Sequence, residues 1–392
     1  MARTPRFLLV VPLAVLLLVG FSAPAEAAKR KVPFGFFGAV LHPMEPPAAD
    51  QQVELMARSG VETGRVILLW TGLEPAPGQY EWGQLDLLAA AAARHGIALQ
   101  PNVTQTPLWA SNRQSDPDYW RWPPADPQTF ADLMRQMVLR YGPKGSFWAQ
   151  NPSLPKVPIR QWQIWNEQTA PWNWKARPWA PSYVKLLKGA YKAIHGLDRR
   201  ATVVAGSLVA PSATYAPWNA VSDLYRYGGK RYFDMIAVHP FTNGPSTKIA
   251  IKQTLDIISR VRARMNKHHD RKKRIIVTEL TWPAAVGRVP KSALEQAAGL
   301  STTRRGQAAR LKSAYRALAG KKRKLGVSQV YWYAWATEYD NLSPDSVMAF
   351  RYSGLNRFSG GVFSREPVLR TYASLAAKYE GCRKSSNARR CR

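Results

Sequence analysis

The chain has 392 residues, of which 46% are hydrophobic and 11% aromatic, with 26 Gly and 30 Pro spread along it. This composition excludes a disordered, collagen-like or coiled-coil protein and provides ample apolar residues for a folded core. The 56 Lys and Arg outnumber the 25 Asp and Glu, which gives a formal net charge of +31. Tryptophan is also unusually frequent, with 15 residues. The N–H of a buried indole usually has a hydrogen-bond acceptor.

The first 28 residues have the features of a secretory signal peptide. Arg3 and Arg6 form a basic start, and residues 7–21 form a continuous apolar segment. The small residues that follow predict cleavage near Ala27 or Ala28, and hence a secreted or cell-surface-associated protein. The alternative is an uncleaved anchor, but a spanning helix needs roughly 20 apolar residues. We expect no stable membrane insertion.

The only two cysteines, Cys382 and Cys391, lie in the basic tail of residues 381–392. In an oxidising compartment they could close a short loop. We expect neither to take part in catalysis or metal binding.

Eight apolar, β-branched or aromatic runs alternate with amphipathic helices. The predicted strands cover residues 32–41, 64–70, 96–103, 159–167, 201–208, 233–241, 274–280 and 327–335. The predicted helices cover residues 49–59, 82–95, 127–141, 181–195, 252–266, 304–325 and 368–379, with a weaker helix near 217–227. Near-continuous apolar strands between helices indicate a parallel sheet covered by helices. Eight pairs predict an α/β fold, a (β/α)8 TIM barrel over residues 32–380. A doubly wound open sheet is the alternative, but the Gly-rich first turn that it often has is absent.

In such a barrel, functional groups lie where the strands end. The polar and aromatic residues at or after these ends include His42, Asn102, Trp109, Asn166, Glu167, His239, Glu279, Trp282 and Trp332. The whole chain has 12 glutamates, and two of them, Glu167 and Glu279, close apolar strands. A desolvated carboxylate is costly there unless it has a function. The fourth and seventh strands lie across the barrel from each other, so both carboxylates can reach one ligand. Two facing carboxyl groups can cleave a glycosidic bond, one as a proton donor and the other as a nucleophile or base.

Three segments resemble the clan-A retaining glycoside hydrolases, which include families 5, 10 and 39. They are WNE at 165–167, TEL at 278–280 and LLWTGLEPAPGQYEWGQLDLL at 68–88, the last similar to family 39 in particular. The resemblance extends from about Phe34 to Tyr379. It implies that Glu167 is the acid/base and Glu279 the nucleophile, with retention of configuration and carboxyl groups roughly 5–5.5 Å apart.

The same resemblance implies roles for four further residues. Asn166 would hydrogen-bond the sugar 2-hydroxyl, and Arg65 would keep the nucleophile ionised. His239 would lie near the nucleophile, and Trp332 would form the floor of the sugar subsite. The alternatives are a structural ion pair for Arg65 and a packing role for His239. Phe241 departs from the family pattern, because many relatives have at this position a tyrosine that bonds the nucleophile.

Two loops after the third and fourth strands are rich in aromatic residues. The candidate sugar platforms among them are Trp109, Trp120, Trp122, Trp172 and Trp174. Indole faces stack on the C–H faces of sugars, so these loops predict subsites for a chain of sugars. The alternative is that about half of these tryptophans pin the loops to the barrel and never touch a ligand.

The positive charge concentrates at residues 267–274, at residues 304–324 and in the tail. It is either an ordinary solvated surface or a means of attraction to an anionic cell-wall polymer or exopolysaccharide. No nucleic-acid motif accompanies the charge, and neither HExxH nor GxSxG is present, so we expect no nucleic-acid partner, no metal and no cofactor. The sequence therefore predicts a secreted hydrolase acting on a β-linked glycan. The alternatives are a catalytically silent carbohydrate-binding barrel and a transglycosylase that uses the same two glutamates.

Overall fold

A computed structural model of the chain describes residues 30–210, 212–297, 299–338 and 348–380. The predicted signal peptide and the tail with Cys382 and Cys391 lie outside the described residues. Cleavage of the signal peptide and closure of a loop by the two cysteines therefore stay predictions. In the part of the chain that is described, no helix has the length and apolar character needed to cross a membrane.

Eight parallel strands close into a barrel in sequence order, with the first strand paired to the eighth. They are β1 (Phe37–Leu41), β2 (Thr63–Leu69), β3 (Ala98–Thr104), β4 (Gln161–Ile164), β5 (Thr202–Leu208), β6 (Met235–Val238), β7 (Arg274–Leu280) and β8 (Val327–Trp332). Most strand residues are buried, as expected when side chains on one face fill the barrel and those on the other pack under helices. The closed barrel confirms the predicted fold and excludes the open sheet.

The helices surround the barrel. They are α1 (Ala48–Arg58), α2 (Trp70–Leu73), α3 (Gly83–His95), α4 (Pro127–Tyr141), α5 (Ser146–Gln150), α6 (Trp179–Leu197), α7 (Pro217–Arg226), α8 (Thr247–Lys267), α9 (Lys291–Gln296), α10 (Arg304–Leu325) and α11 (Pro367–Glu380). Several begin at side chains that accept from the first-turn backbone, such as Asp126 before α4 and Thr303 before α10. Gly96 and Gly326 end α3 and α10 with positive φ angles, which glycine adopts without strain.

The chain departs from a simple eightfold repeat after β8. The predicted eighth strand, residues 327–335, ends at Trp332, and a three-stranded sheet follows before the last helix. This small sheet consists of β9 (Ala336–Glu338), β10 (Asn356–Ser359) and β11 (Val362–Arg365). The sequence did not predict it, nor the short helices α2, α5 and α9. The predicted fourth strand is also too long, because the structure ends it at Ile164, three residues before Glu167.

Inside the barrel, an apolar layer lies among polar ones. Its buried members are Val40, Val204, Ala237, Ile276 and Tyr331. Polar side chains in the barrel also bond one another, and Gln161 Nε2 donates to Gln100 Oε1 (2.8 Å) and to Gln329 Oε1 (2.7 Å). Because buried polar groups require partners, these bonds permit a polar barrel interior, including the buried guanidinium of Arg65.

Candidate active site

A local irregularity in β7 brings Glu279 to the inside of the barrel. Alternate residues of a regular strand point to opposite faces, yet both Thr278 and Glu279 reach interior partners. Thr278 Oγ1 bonds His239 Nε2 at 3.0 Å, and Glu279 Oε1 accepts from Arg65 Nη1 at 2.8 Å. The pairing register of β7 with β8 shifts between Val277 and Leu280, and such bulges re-aim side chains.

The backbone after β4 places Glu167 in the same region. Trp165 has φ 68° and Glu167 has φ 46°, left-handed values that residues other than glycine rarely adopt. The ring of Trp165 is fully buried and its Nε1 donates to Asn173 O at 2.9 Å, which holds this turn in place. Strained backbone of this kind is concentrated at functional sites.

The structure brings the two predicted catalytic carboxylates together. One oxygen of Glu167, one oxygen of Glu279 and a ring nitrogen of His239 all lie within 4.8 Å of one another. His239 bridges the pair, since its Nδ1 is 2.8 Å from Glu167 Oε1 and its Nε2 is 3.6 Å from Glu279 Oε1. The side chains of Glu167 and Glu279 are 12% and 9% exposed, so both carboxylates are shielded from most solvent but can be reached by a ligand.

Arg65 lies fully buried beside Glu279 and organises the polar groups around it. Its Nη1 donates to Glu279, its Nε to Gln163 Oε1 (2.9 Å) and its Nη2 to Asn166 Oδ1 (2.9 Å). With its amide oriented to satisfy its neighbours, the buried Asn102 accepts from Arg65 Nη2 (2.7 Å) and donates to Trp165 O (2.8 Å). One guanidinium therefore fixes the positions of both Glu279 and Asn166.

Glu167 accepts hydrogen bonds from three side chains. Besides His239, Trp172 Nε1 donates to its Oε2 at 2.7 Å and Asn173 Nδ2 at 3.2 Å. Burial raises the pKa of Glu167, but the hydrogen bond and charge of His239, followed by the hydrogen bond of Trp172 and the charge of Arg65, outweigh it. The net pKa lies below its usual value, because these groups all stabilise the carboxylate.

Phe241 cannot supply the hydroxyl that many relatives have at its position. Arg65 instead bonds Glu279 directly through Oε1, and His239 Nε2 lies 3.6 Å from the same oxygen. Tyr333 follows β8 directly and lies close enough to both glutamates for their charges to affect its pKa. Burial raises the pKa of Tyr333, and the charges of Glu279 and Glu167 raise it further. Tyr333 is half-buried and was not predicted from the sequence.

Two tryptophans that were predicted to line the site are buried instead. The Nε1 of Trp332, at the end of β8, donates to Ser353 O (2.9 Å), and that of Trp282 donates to Thr242 O (3.0 Å). Both are 0% exposed, so neither offers a face to a sugar, and these two predictions are wrong. His42 is half-buried after β1, and burial lowers its pKa. Among the described residues, no hydrogen bond or ion pair joins His42 to either carboxylate.

The aromatic loops contain both exposed and structural tryptophans. Trp172 is 44% exposed and contacts Glu167, whereas Trp174 is 0% exposed, packs on Trp165 with ring centres 4.8 Å apart and donates to Ser182. The prediction that Trp174 is a sugar platform is therefore wrong. Trp109, Trp120 and Trp122 are half-buried. Trp109 donates to the Glu74 carbonyl and Trp122 to Asp116, contacts that pin the loop.

Glu167, His239 and Glu279 also offer the ligand types that bind metal ions. Yet Arg65 already bonds Glu279, and both ring nitrogens of His239 lie within hydrogen-bond distance of partners, Glu167 and Thr278. A cation would have to compete with these bonds next to a buried guanidinium. The geometry therefore fits a carboxylate pair better than a metal centre.

Comparison with solved structures gives neighbours with the same fold. A family 39 glycoside hydrolase from Bacteroides cellulosilyticus WH2 matches with a TM-score of 0.63 and 19% identity, over 88% of this chain and 64% of that one. An exo-β-1,4-mannosidase from Opitutaceae bacterium strain TAV5 matches with 0.60 and 18%, over 91% and 62%. A family 5 mannosidase from Rhizomucor miehei matches with 0.58 and 12%, over 91% and 96%.

The structural neighbours are thus glycoside hydrolases of families 39 and 5, as the sequence resemblance predicted. At these identities the likeness establishes the shared barrel fold. The chain spans less than two thirds of the length of the first two neighbours. No protein-family model matches the chain, and no curated protein matches it by sequence.

Proposed function

We propose that this protein is a glycoside hydrolase that cleaves a β-linked glycan with retention of the anomeric configuration. The observation that carries this proposal is the pair Glu167 and Glu279, with one oxygen of each within 4.8 Å of the other. Retaining enzymes have carboxyl groups about 5–5.5 Å apart, whereas inverting enzymes need about 6.5–9.5 Å to admit a water molecule. The short distance supports a double displacement.

In the first step, Glu279 attacks the anomeric carbon while Glu167 protonates the leaving oxygen. A glycosyl ester on Glu279 forms as the glycosidic C–O bond breaks. In the second step Glu167, now a carboxylate, takes a proton from water, which displaces Glu279 and releases the sugar. Arg65 supports the nucleophile role, because its ion pair with Glu279 holds the attacking carboxylate in place.

The acid role of Glu167 requires its pKa to rise when substrate binds. The pKa is lowered by His239 and Trp172, and a proton donor works best when its pKa is near the working pH. Trp172 is the exposed donor of the two, so a sugar that rearranges it would weaken support for the carboxylate. Substrate binding then converts Glu167 from a stabilised base into a competent acid.

The surrounding groups suggest how a sugar is held. The oxygen of Asn166 accepts from Arg65 and Ser207, which leaves its NH2 group to donate to the sugar 2-hydroxyl. Tyr333 takes the place at the end of β8 that the resemblance had assigned to Trp332. Trp172 and the half-buried Trp120 provide further sugar contacts on the aromatic loops. Each role is part of the proposal.

Turnover of aryl β-glycosides tests the hydrolase proposal. The panel includes β-mannosides, since two neighbours are mannosidases, together with β-glucosides and β-xylosides. We expect release of the aryl group from at least one and its loss in Glu279→Ala. A silent carbohydrate-binding barrel would bind glycans without turnover. A transglycosylase would need both glutamates but would form longer products from an added acceptor instead of free sugar.

The predicted signal peptide supports action outside the cell, on a secreted or surface-bound glycan. The net charge of +31 supports an anionic polymer as partner or substrate. Detection of the protein in culture supernatant, with a new N-terminus near residue 28, tests the first point.

A further inference from the structure

A cavity lies on the outside of the barrel, between α1, α11 and the hairpin of β10 and β11. Its volume is about 840 Å³, within the range of small-molecule sites. Its walls include Arg58 from α1, Phe363 and Arg365 from β11, Arg370 from α11 and Trp335 from the turn after β8. In the described part of the chain, none of the residues that line it belongs to the carboxylate site.

The cavity wall has a surplus of positive charge. Three arginines line it, Arg58, Arg365 and Arg370, against one acid, Glu366. Glu366 is already surrounded by three other arginines outside the cavity wall, at 3.4, 3.5 and 3.9 Å: Arg288, Arg304 and Arg357. Its charge is therefore neutralised from the other side, and the cavity favours an anion.

The three cavity arginines are weakly paired with acidic side chains of the protein. Arg58 approaches Glu54 at 3.4 Å, and both side chains are largely exposed, so this pair is weak. No ion pair joins Arg365 or Arg370 to an acid among the described residues. Guanidinium groups match planar anions with paired N–H donors, as in arginine–carboxylate contacts. Arg365 and Arg370 are thus available to a ligand.

Trp335, one of the residues that line the cavity, provides an independent observation. Trp335 is 0% exposed, and its Nε1 has no hydrogen-bond partner within the described structure. By contrast, the equally buried Trp332 and Trp282 donate to carbonyl oxygens at 2.9 and 3.0 Å. Trp162 in β4 shares the unpartnered state but is not among the residues that line this cavity. A buried donor normally has an acceptor, and an oxygen of a bound ligand would supply one for Trp335.

We propose that this cavity binds the anionic group of an acidic polysaccharide, at a second saccharide site separate from the carboxylate pair. The arginines and the Trp335 N–H take the anionic group. The ring of Phe363 offers an apolar surface and the side chain of Gln51 a polar one for the adjoining sugar. A polymer held there raises the local concentration of its own glycosidic bonds near the barrel mouth. That consequence rests on the proposed hydrolase function, whereas the binding does not.

Binding is measured with the full mature protein by affinity electrophoresis and calorimetry, using polygalacturonate, dextran sulfate and neutral dextran. We expect both anionic polymers, or polygalacturonate alone, to bind more tightly than dextran. Preference for polygalacturonate identifies a carboxylate site, and equal binding of dextran sulfate identifies a general anion site. Dextran binding as tightly as the anionic polymers overturns the proposal.

Matched charge variants separate a built site from diffuse attraction. The double variant R365Q/R370Q should weaken binding of the anionic polymer about tenfold. The control R305Q/R316Q removes two exposed arginines of α10 and the same net charge, and it should stay within about twofold of wild type. Equal losses in both double variants contradict the cavity and assign the binding to net charge.

The variant Trp335→Phe tests the indole N–H. It keeps an aromatic ring in the core but removes the donor, so polymer affinity should fall several-fold while the melting temperature hardly changes. A fall in melting temperature without any loss of affinity would assign Trp335 a packing role only and overturn its part in the site. All these measurements need no turnover, so an inactive wild-type protein would refute the proposed hydrolase and leave the binding result intact.

Discussion

Replacing Trp172 with phenylalanine tests how the site controls the protonation of Glu167. The indole Nε1 donates to Glu167 Oε2 at 2.7 Å, and phenylalanine keeps an aromatic ring while removing this donor. The donor stabilises the ionised carboxylate and so contributes to the lowered pKa of Glu167. Its loss should therefore raise that pKa.

The expected size of the change follows from the exposure of the bond. A hydrogen bond to a charged group contributes about 1.5–3 kcal/mol when it is shielded from water. Trp172 is 44% exposed, so water replaces part of it after substitution. Roughly half the effect, about 0.75–1.5 kcal/mol, corresponds to a pKa increase of about 0.5–1 unit, since one unit is about 1.4 kcal/mol.

The assay is the pH dependence of kcat/KM on a β-glycoside with a poor leaving group, because kcat/KM reports the pKa values of the free enzyme, in which Trp172 contacts Glu167. The high-pH limb reports loss of the proton from the catalytic acid, so it should move upward by about half to one pH unit in Trp172→Phe. Trp120→Phe is the control, because Trp120 lies on the other aromatic loop and stacks against Arg121, 4.4 Å from the ring centre, rather than contacting Glu167. A limb that stays in place or moves to lower pH refutes the reasoning.

Three further predictions concern catalysis and stability. Glu279→Ala should nearly abolish turnover, and added azide should restore part of it by forming a glycosyl azide of inverted configuration. Glu167→Ala should instead spare substrates with good leaving groups. The reverse pattern, measured by kinetics and NMR, would mean that the roles are exchanged. Trp120→Ala should lower kcat/KM on long oligosaccharides by several-fold to about tenfold and leave a short aryl glycoside nearly unchanged, unless the residue only pins its loop and both substrates suffer alike. Trp174→Ala should destabilise the fold by about 3–5 kcal/mol, because the ring is fully buried, and a melting temperature equal to wild type would contradict that packing role.

The eight barrel strands could be predicted because each is a compact apolar run. Within such a run a charged residue stands out, which is why Glu279 could be identified. Arg65 was identified from the family resemblance instead, and the structure joins it to Glu279 at 2.8 Å. Glu167 stood out in the same way, although it lies beyond the end of β4. Apolar pattern and burial cost together were enough for the barrel and its two carboxylates.

The direction of individual side chains could not be predicted. The register shift in β7 turns Glu279 into the barrel. After β4, the left-handed φ angles of Trp165 and Glu167 bring Glu167 to the same region. Neither irregularity has a signature in the residues themselves. A tryptophan at a strand end can point to the ligand or into the core, and Trp332 points into the core while its neighbour Tyr333 lies by the carboxylates. The small sheet after β8 was missed because its strands are three or four residues long.

Trapping of the covalent intermediate tests the central claim most directly. A 2-deoxy-2-fluoro β-glycoside with an activated leaving group, of the sugar type that the protein turns over, slows both steps and hydrolysis of the intermediate most of all. Peptide mass spectrometry should then find one fluorosugar, attached to the peptide that contains Glu279, and no label in Glu279→Ala. A label on another residue, or an unlabelled enzyme that converts its natural substrate with inversion, would contradict double displacement by Glu279 and Glu167.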